Sequence, residues 1–452
     1  MDGKLSQAEI RLAERCIDIA REAGASAVRV SLSKSTTDLV GILNGEVDKV
    51  THSLDCCIIL SLFVDGRFGS FSLNRLSDEQ TVRHFILEAV DTVRMLVPDP
   101  CRVLPAPGRK VTDALTGEEN GNFDGKAYEA LDAARRLEIA LSSSLWSRKA
   151  ALEHGFTLLS EEGEYSDSLY DLLILDSEGL RCRHTETTFE IGYELTVADG
   201  EGNRFSGYWW DSAARLKNVL PFIGSCSERA LKQAVAQIGP RPIPGGKVKV
   251  AVLTECASKL LNPLIAALNG YSIQQKNSFL SDSLGKSVFS EKFTLRSVPR
   301  AAGKTGVRWF DSEGVATTDA PVIEGGVIKR YFINTYIAGK TGLEPTEEDA
   351  FRLELAPTGE CRTLEELLAL LGDGILVTGF NGGNNNSATG DFSYGIEGFA
   401  VSGGKILHPV REMLMTGNFI SLWKHLLAVA DDARDCLSRR IPSLAFTDVD
   451  IR

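Results

Sequence analysis

Three prolines fall within eight residues at Gly239-Pro240-Arg241-Pro242-Ile243-Pro244-Gly245-Gly246, and no other feature limits the folding of this chain so firmly. Proline can neither continue a helix nor sit in a central strand, so no regular element runs through this stretch. Residues 239–246 therefore read as a linker between an N-terminal domain over 1–238 and a C-terminal domain over 247–452. With 452 residues, 43% of them hydrophobic, the chain has the length for two or three domains and the apolar content for more than one core.

The N-terminal half opens with a helix over Gln7–Ala23, where Ala13, Cys16, Ile17 and Ala20 recur at helical spacing and Gly24 supplies the stop. Strands are expected over Ala27–Leu32 and Asp38–Leu43, with Asn44-Gly45 as a hairpin turn. Cys57–Val64 is a further strand, turned by Asp65-Gly66 into Phe68–Phe71. A helix over Ser77–Arg94 closes this group, and a Pro- and Gly-rich loop spans Pro98–Gly108. Lys126–Leu145 reads as helix, Leu158–Ala198 as a set of strands. Ser225 with Glu228 three residues on reads as a capping box, opening a helix that runs to about Ile238. Beyond the linker come a strand over Lys247–Leu253, a helix over Glu255–Leu268, and a β-rich region with hairpin signals at Glu324-Gly325-Gly326 and Ser402-Gly403-Gly404-Lys405. The class is α+β: an N-terminal α+β domain with a meander sheet and helices, then a C-terminal β-rich domain.

Charge narrows the function. Lys and Arg total 49 against 61 Asp and Glu, a net charge of −12. Affinity for nucleic acid rests on neutralising phosphates, so direct DNA binding is disfavoured. The nine cysteines are scattered without a Cys-x-x-Cys spacing, which suits reduced thiols packed as small core residues. No signal-like leader and no apolar run of about 18 residues occur, so a cytoplasmic location away from membranes is expected.

Several C-terminal segments carry a family likeness. Asn277-Ser278-Phe279-Leu280-Ser281-Asp282-Ser283-Leu284-Gly285-Lys286 follows the central helix. Phe310-Asp311-Ser312-Glu313-Gly314-Val315 forms an Asp-x-Glu-Gly turn. Thr389-Gly390-Asp391-Phe392-Ser393-Tyr394-Gly395-Ile396-Glu397-Gly398-Phe399 and the ending from Ile441-Pro442-Ser443-Leu444 complete the set. Together they resemble the TldD/PmbA family, once called modulators of DNA gyrase, and the TldE/PmbA-type branch in particular. The resemblance implies a two-subunit zinc peptidase. Its metal subunit holds zinc through a His-Glu-x-x-x-His helix and a Cys near its C-terminus. The TldE-type subunit lacks those ligands and closes the other half of a chamber for extended peptides, such as microcin-type peptides and small antitoxins.

A zinc helix needs two imidazoles on one face and a carboxylate to take a proton from metal-bound water. By the resemblance, Asn262, Pro263 and Ala267 stand at those three places here, and none of these residue types can do that work. The six histidines, His52, His84, His154, His184, His408 and His425, lie too far apart in sequence to replace them. Cys436 is near the end, in flanking sequence unlike the Cys-bearing loop of the metal subunit. Cys182, His184 and Glu186 alternate along a strand and share a face. They read either as a metal row or as the polar face of an antiparallel strand.

Gly379-Phe380-Asn381-Gly382-Gly383-Asn384-Asn385-Asn386 is the least ordinary stretch. It reads as a loop lining a peptide chamber or meeting the metal subunit, or else as a tight structural loop. A phosphate cradle is excluded, since no Gly-Lys-Ser/Thr follows. Asn384, Asn385, Asn386, Asp391, Phe392 and Tyr394 are the candidate peptide-binding residues, with Asp391 better suited to capping a turn through its side chain. Tyr208, Trp209 and Trp210 offer either peptide contacts or core packing. Glu255 suits the first turn of its helix, where a negative charge meets the dipole. No nucleophile and base can be assembled, so no catalytic residue is assigned.

The reading is a metal-free subunit with no cofactor of its own. Zinc belongs to a TldD-type partner subunit, and unfolded peptides are the substrates. The alternatives are a homodimer that binds peptides without cutting them, and a protein that acts on gyrase.

Overall fold

The computed structural model describes residues 3–74, 79–151 and 156–452. Ser77, the expected start of a helix, and His154 lie outside the described residues. The fold is α+β, with helices set against long antiparallel sheets. Two compact units share the chain: residues 1–234 with 300–317 and 334–347 form unit 1, and 235–299 with 318–333 and 348–452 form unit 2.

Unit 1 is built on β1 (Ala27–Leu43), β2 (Glu46–Val64), β3 (Arg67–Leu73), β4 (Thr157–Asp176), β5 (Arg181–Ala198) and β6 (Arg204–Ala213), in the order β3-β2-β1-β4-β5-β6. Every neighbouring pair is antiparallel. Helices Gln7–Glu22 and Glu79–Arg94 bury Ala13, Cys16, Ile86 and Val90 against Val30, Leu32, Leu60 and Leu62. Each buried Val, Leu or Ile side chain among them contributes about 1.5–3 kcal/mol. The first helix is held by a capping box at Ser6 and Glu9, whose side chains bond each other's backbone N–H.

Four tight turns have positive φ at both central residues: Asn44-Gly45, Asp65-Gly66, Gly325-Gly326 and Gly403-Gly404. That geometry matches the twist of hairpin strands and needs Asn, Asp or Gly, which is why the expected hairpins appear in place.

Several expected elements differ in extent. The two strands expected over 27–43 are one, and β2 begins at Glu46, eleven residues before the expected Cys57. Over Glu46–Asp55 every residue of β2 is exposed, and in β1 past Leu32 polar Ser33, Lys34, Ser35 and Thr37 interrupt the apolar alternation while the ladder continues. The helix expected over Lys126–Leu145 divides into Gly125–Glu129 and Ala133–Ser142, where Asp132 caps the second by accepting from the Arg135 N–H at 2.7 Å. The helix expected to open at Ser225 runs over Cys226–Ala236. In place of the capping box expected there, Ser225 Oγ donates to the Phe222 carbonyl and Glu228 pairs with Arg148 at 3.2 Å.

Unit 2 holds β7 (Gly246–Val252), β8 (Leu295–Ser297), β9 (Ala320–Glu324), β10 (Val327–Ile328), β11 (Leu353–Leu355), β12 (Gly374–Asn385), β13 (Asp391–Ser402), β14 (Lys405–Asn418), β15 (Leu426–Val429), β16 (Arg439–Arg440) and β17 (Leu444–Ile451). Its main sheet has the order β14-β13-β12-β7-β17-β15, and a smaller one the order β10-β9-β8-β11-β16. β7 and β12 are parallel neighbours in the main sheet. Helix Leu364–Leu371 packs Leu367, Leu368 and Leu371 on Ala251, Leu376 and Ala445. Val250, Val252, Ile375 and Val377, which alternate with these, are fully buried as well.

Candidate functional site

The parallel pairing of β7 and β12 sets the site. It covers only Ile375–Val377 of β12, because the chain leaves β7 after Val252 and turns into helix Thr254–Ala267. Leu253 N–H donates to the Val377 carbonyl at 3.0 Å as the chain departs. Thr254 fixes the start of the helix, its N–H donating to Ser443 Oγ (3.2 Å) and its hydroxyl to the Ile441 carbonyl (2.7 Å). From Thr378 to Asn385, β12 therefore has, among the described strands, a neighbour on the β13 side alone. Helix Thr254–Ala267 leaves the C-terminal end of β7 beside this one-sided stretch of β12, and the space flanking the two is called the crevice below.

The two sides of the crevice meet through Tyr394. Its ring is buried, Lys259 Nζ stands 4.7 Å above it, and its hydroxyl donates to Asn385 Oδ1 at 3.2 Å. Phe380 meets the same ring edge-on at 5.8 Å. Asn381 Nδ2 donates to Glu397 Oε2 at 3.0 Å, steadying the strand where Gly379 faces Glu397. Residues 381–389 are exposed.

The candidate peptide-binding residues fall into distinct places. Asn385 and Tyr394 are bonded to each other in the crevice. Asn384 is exposed, opposite Ser393 in the ladder. Asn386 closes the hairpin, its Oδ1 accepting from the N–H groups of Ala388 (2.9 Å) and Thr389 (3.3 Å). Asp391 accepts from Asn418 Nδ2 (2.9 Å) and Thr389 Oγ1 (2.7 Å), which hold its carboxyl below the usual carboxylate range. It thus ties down the turn. Phe392 stacks on Phe419 at 4.7 Å and on Tyr394 at 5.4 Å. Asp391 and Phe392 also line a separate hollow of about 480 Å³ with Asn418, His425 and Asp448.

The positions implied for zinc lie along the crevice helix. Asn262 is exposed, and its Oδ1 accepts from Arg439 Nη1 at 2.6 Å. Pro263 is half-buried within the helix and Ala267 is buried. A guanidinium bonded to the only donor atom of the three opposes a second cation, so these residues do not fit a zinc ion. Among the described residues no group of three or more His, Cys, Asp and Glu is placed to hold a metal. Cys436 is buried.

Cys182, His184 and Glu186 do share a face, but the row is divided. Cys182 lies in an apolar cluster with Val111, Ile174, Leu180 and Phe310, and burial pushes its thiol far up. His184 Nε2 bonds Glu186 Oε2 at 3.0 Å, and Arg308 pairs with the other carboxylate oxygen at 3.4 Å. Burial holds the imidazole below its ordinary value, which leaves it neutral at pH 7 with Nε2 donating. The arrangement is a buried polar contact against an apolar cluster.

Glu255 sits in the first turn of the crevice helix, near its own backbone N–H, with Oε2 buried and without a hydrogen-bond partner among the described residues. Burial raises its pKa. Between the ordinary carboxylate value, about 4.3, and the raised one, the folded chain keeps a proton that the unfolded chain releases. Stability therefore falls as pH rises through that window. Glu255→Gln is expected to raise the thermal midpoint by a few degrees at pH 7, with the gain vanishing by about pH 4. Calorimetry at the two pH values checks it.

Unit 1 has a groove that sequence reasoning missed. On the face of the sheet away from helices Gln7–Glu22 and Glu79–Arg94, strand register aligns Lys49, Gly41, Glu164, Gly192 and Trp210 across five strands. A hollow of about 520 Å³ results, bordered by Glu162, Glu190, Glu194 and Tyr208. The expected aromatic trio is parted by strand alternation. Tyr208 and Trp210 line this groove, while Trp209 faces the other way under the Arg229 guanidinium at 5.0 Å. The alternation of Glu and Gly through 162–164 and 190–194 was the available signal.

Residues 126–238 match the PmbA/TldA metallopeptidase central domain and residues 245–452 the corresponding C-terminal domain. Metalloprotease PmbA of Escherichia coli O157:H7 is 26% identical over 433 residues, covering 94% of this chain and 93% of that protein. The PmbA homologue of Haemophilus influenzae is 27% identical over 434 residues, with 95% and 93% covered. A crystal structure from Bacteroides thetaiotaomicron, of a proposed modulator of DNA gyrase, has TM-score 0.92 and 34% identity, with 99% of each chain covered. TldE from Thermococcus kodakarensis shares the fold, with TM-score 0.82 and 18% identity over 97% of this chain and 99% of that one.

Proposed function

The chain belongs to the PmbA/TldD metallopeptidase family, and from that premise we propose that it is the metal-free partner subunit of a two-chain zinc peptidase. The observation that carries this reading is the Asn262–Arg439 bond on the crevice helix. A cation already satisfies the atom nearest to ligand chemistry, and Pro263 and Ala267 add no donor. Catalytic zinc then belongs to a TldD-type partner with a His-Glu-x-x-x-His helix, and this chain encloses and orients the substrate.

The substrate is an unfolded or extended peptide. The one-sided edge of β12 over 378–385 offers main-chain donors and acceptors to a peptide laid beside it, a mode with little sequence preference. Asn385, Tyr394 and Asn384 would flank such a peptide, with Lys259 across the crevice. Asp391, Phe392 and Asn386 hold the hairpin in shape. The complex would work in the cytoplasm. Among the described residues no helix is long and apolar enough to cross a membrane.

The name attached to the Bacteroides protein gives a second reading, action on DNA gyrase. A net charge of −12 leaves that route to protein–protein contact, since DNA phosphates would be repelled.

The test is to purify the chain alone and with a His-Glu-x-x-x-His subunit, and to measure bound zinc and casein cleavage in each. The expected result is a chain that alone holds no stoichiometric zinc and does not cut, and a 1:1 complex that cuts at least a hundredfold faster. Stoichiometric zinc or cleavage by the chain alone would overturn the reading.

A further inference from the structure

β2 is a long strand whose outer edge is half covered. β3 pairs with Ile58–Val64 only, so the edge before Ile58 has no neighbour among the described strands. Every residue from Glu46 to Asp55 is exposed on both faces of the sheet. Apolar side chains stand in the open there: Val50 is 69% exposed, Leu54 50% and Val47 45%. Edges of this kind are usually blunted by charged side chains, lysine above all, by proline or by bulges, and here the one lysine of the edge, Lys49, reaches back along the sheet to Glu164 at 3.7 Å. Here a bulge at Asp48 protects the beginning alone, and Lys49–Cys57 pairs in unbroken register with Gly41–Ser33 of β1. No proline or glycine interrupts it.

We propose that this edge pairs antiparallel with the same edge of a second copy of the chain, about a two-fold axis through His52. Strand geometry restricts the choice. Outward-pointing main-chain groups must face outward-pointing ones, so the axis has to pass through a residue and not between two. An axis through Thr51 sets Val50 against His52 and Lys49 against Ser53. An axis through Ser53 sets His52 against Leu54 and Thr51 against Asp55. An axis through His52 alone sets Lys49 against Asp55 and Val50 against Leu54, and symmetry makes each match twice.

The faces agree with this register. Val50, His52 and Leu54 alternate with Lys49, Thr51, Ser53 and Asp55, so the apolar pairs lie on one face and the charge pairs on the other. Both imidazoles stand at the axis, and each is bonded through Nδ1 to its own Asp38 at 2.8 Å. Thr51 against Ser53 completes the centre with small polar side chains. Cross-strand pairs of opposite charge or matched apolar shape each add about 0.2–1 kcal/mol to the main-chain ladder. The result would be one continuous sheet through both copies, independent of any metal-bearing subunit.

Charge reversal on the full chain tests the register. Lys49→Asp places acid at both positions, and Asp55→Lys places lysine at both. Each variant alone faces like charges twice, whereas the two mixed face opposite charges twice. By sedimentation equilibrium at micromolar concentration, the parent is expected to be a dimer, each variant at least about tenfold weaker, and the equimolar mixture restored. Recovery on mixing also shows that both variants fold. A monomeric parent, a parent dimer indifferent to both reversals, or a mixture that stays apart would each overturn the proposal. Capture of this edge by a strand of the metal subunit would leave the parent monomeric on its own, and would overturn it in the same way.

Discussion

Arg136→Met is expected to destabilise unit 1 by about 3–5 kcal/mol, the usual cost of removing one partner from a buried ion pair. Arg136, on helix Ala133–Ser142, makes two parallel bonds of 2.8 Å to Asp167, whose side chain is 0% exposed. A third bond reaches the Leu131 carbonyl at 2.9 Å, and Asp38 lies at 3.2 Å. Without the guanidinium, Asp167 is a charge out of water with no cation, and the helix loses its tie to β4. Replacing both partners, as in Arg136→Met with Asp167→Leu, removes the orphaned charge and is expected to recover most of the loss. Urea unfolding of the single and double variants measures the difference. A single-variant loss under about 1 kcal/mol would mean that the pair contributes no more than an exposed one.

Gly390→Val is expected to cost about 2–4 kcal/mol and, on the function proposed above, to lower peptide cleavage by the two-chain complex. Gly390 has φ +80°, and a Cβ built there would stand 2.9 Å from the Phe279 ring. That ring stacks on Phe419, which stacks in turn on Phe392. Gly390 also donates to the Asn386 carbonyl at 2.8 Å and accepts from the Phe419 N–H at 2.9 Å. Valine would strain the backbone and push the aromatic stack together, carrying Asn385 away from Tyr394. Gly390→Ala keeps the Cβ against the Phe279 ring and lessens the backbone strain, since alanine tolerates positive φ better than a β-branched residue does. Unfolding curves and casein cleavage by the complex, read together, check both parts. Full activity at parental stability would show that the hairpin absorbs the side chain.

The local features of the fold were legible because local chemistry decides them. Asn44-Gly45 and Asp65-Gly66 demand positive φ, and the Gln7–Glu22 helix carries its apolar stripe in sequence. The full lengths of β1 and β2 were not legible. Ser33, Lys34, Ser35 and Thr37 show no alternation, and the ladder there is held by partners far along the chain, such as Tyr170 opposite Ser35. At the site, the lack of ligand chemistry at Asn262, Pro263 and Ala267 could be read from residue types. The crevice could not, since it exists only because β7 ends where β12, more than a hundred residues later, continues. The acidic groove is likewise a product of register among Gly41, Glu164 and Gly192.

Unit 1 draws on residues 300–317 and 334–347, far beyond its main stretch. During synthesis its sheet can form early, yet the unit waits for roughly a hundred further residues, about 5–20 s at ordinary elongation speed. In that interval the chain carries an unfinished first half while unit 2 is emerging. Release of either unit by cleavage within the proline-rich linker would leave unit 1 without those two segments. The two halves of the gene are therefore poor candidates for separate expression, and a stalled ribosome before residue 347 would leave a product fit for quality control and not for assembly.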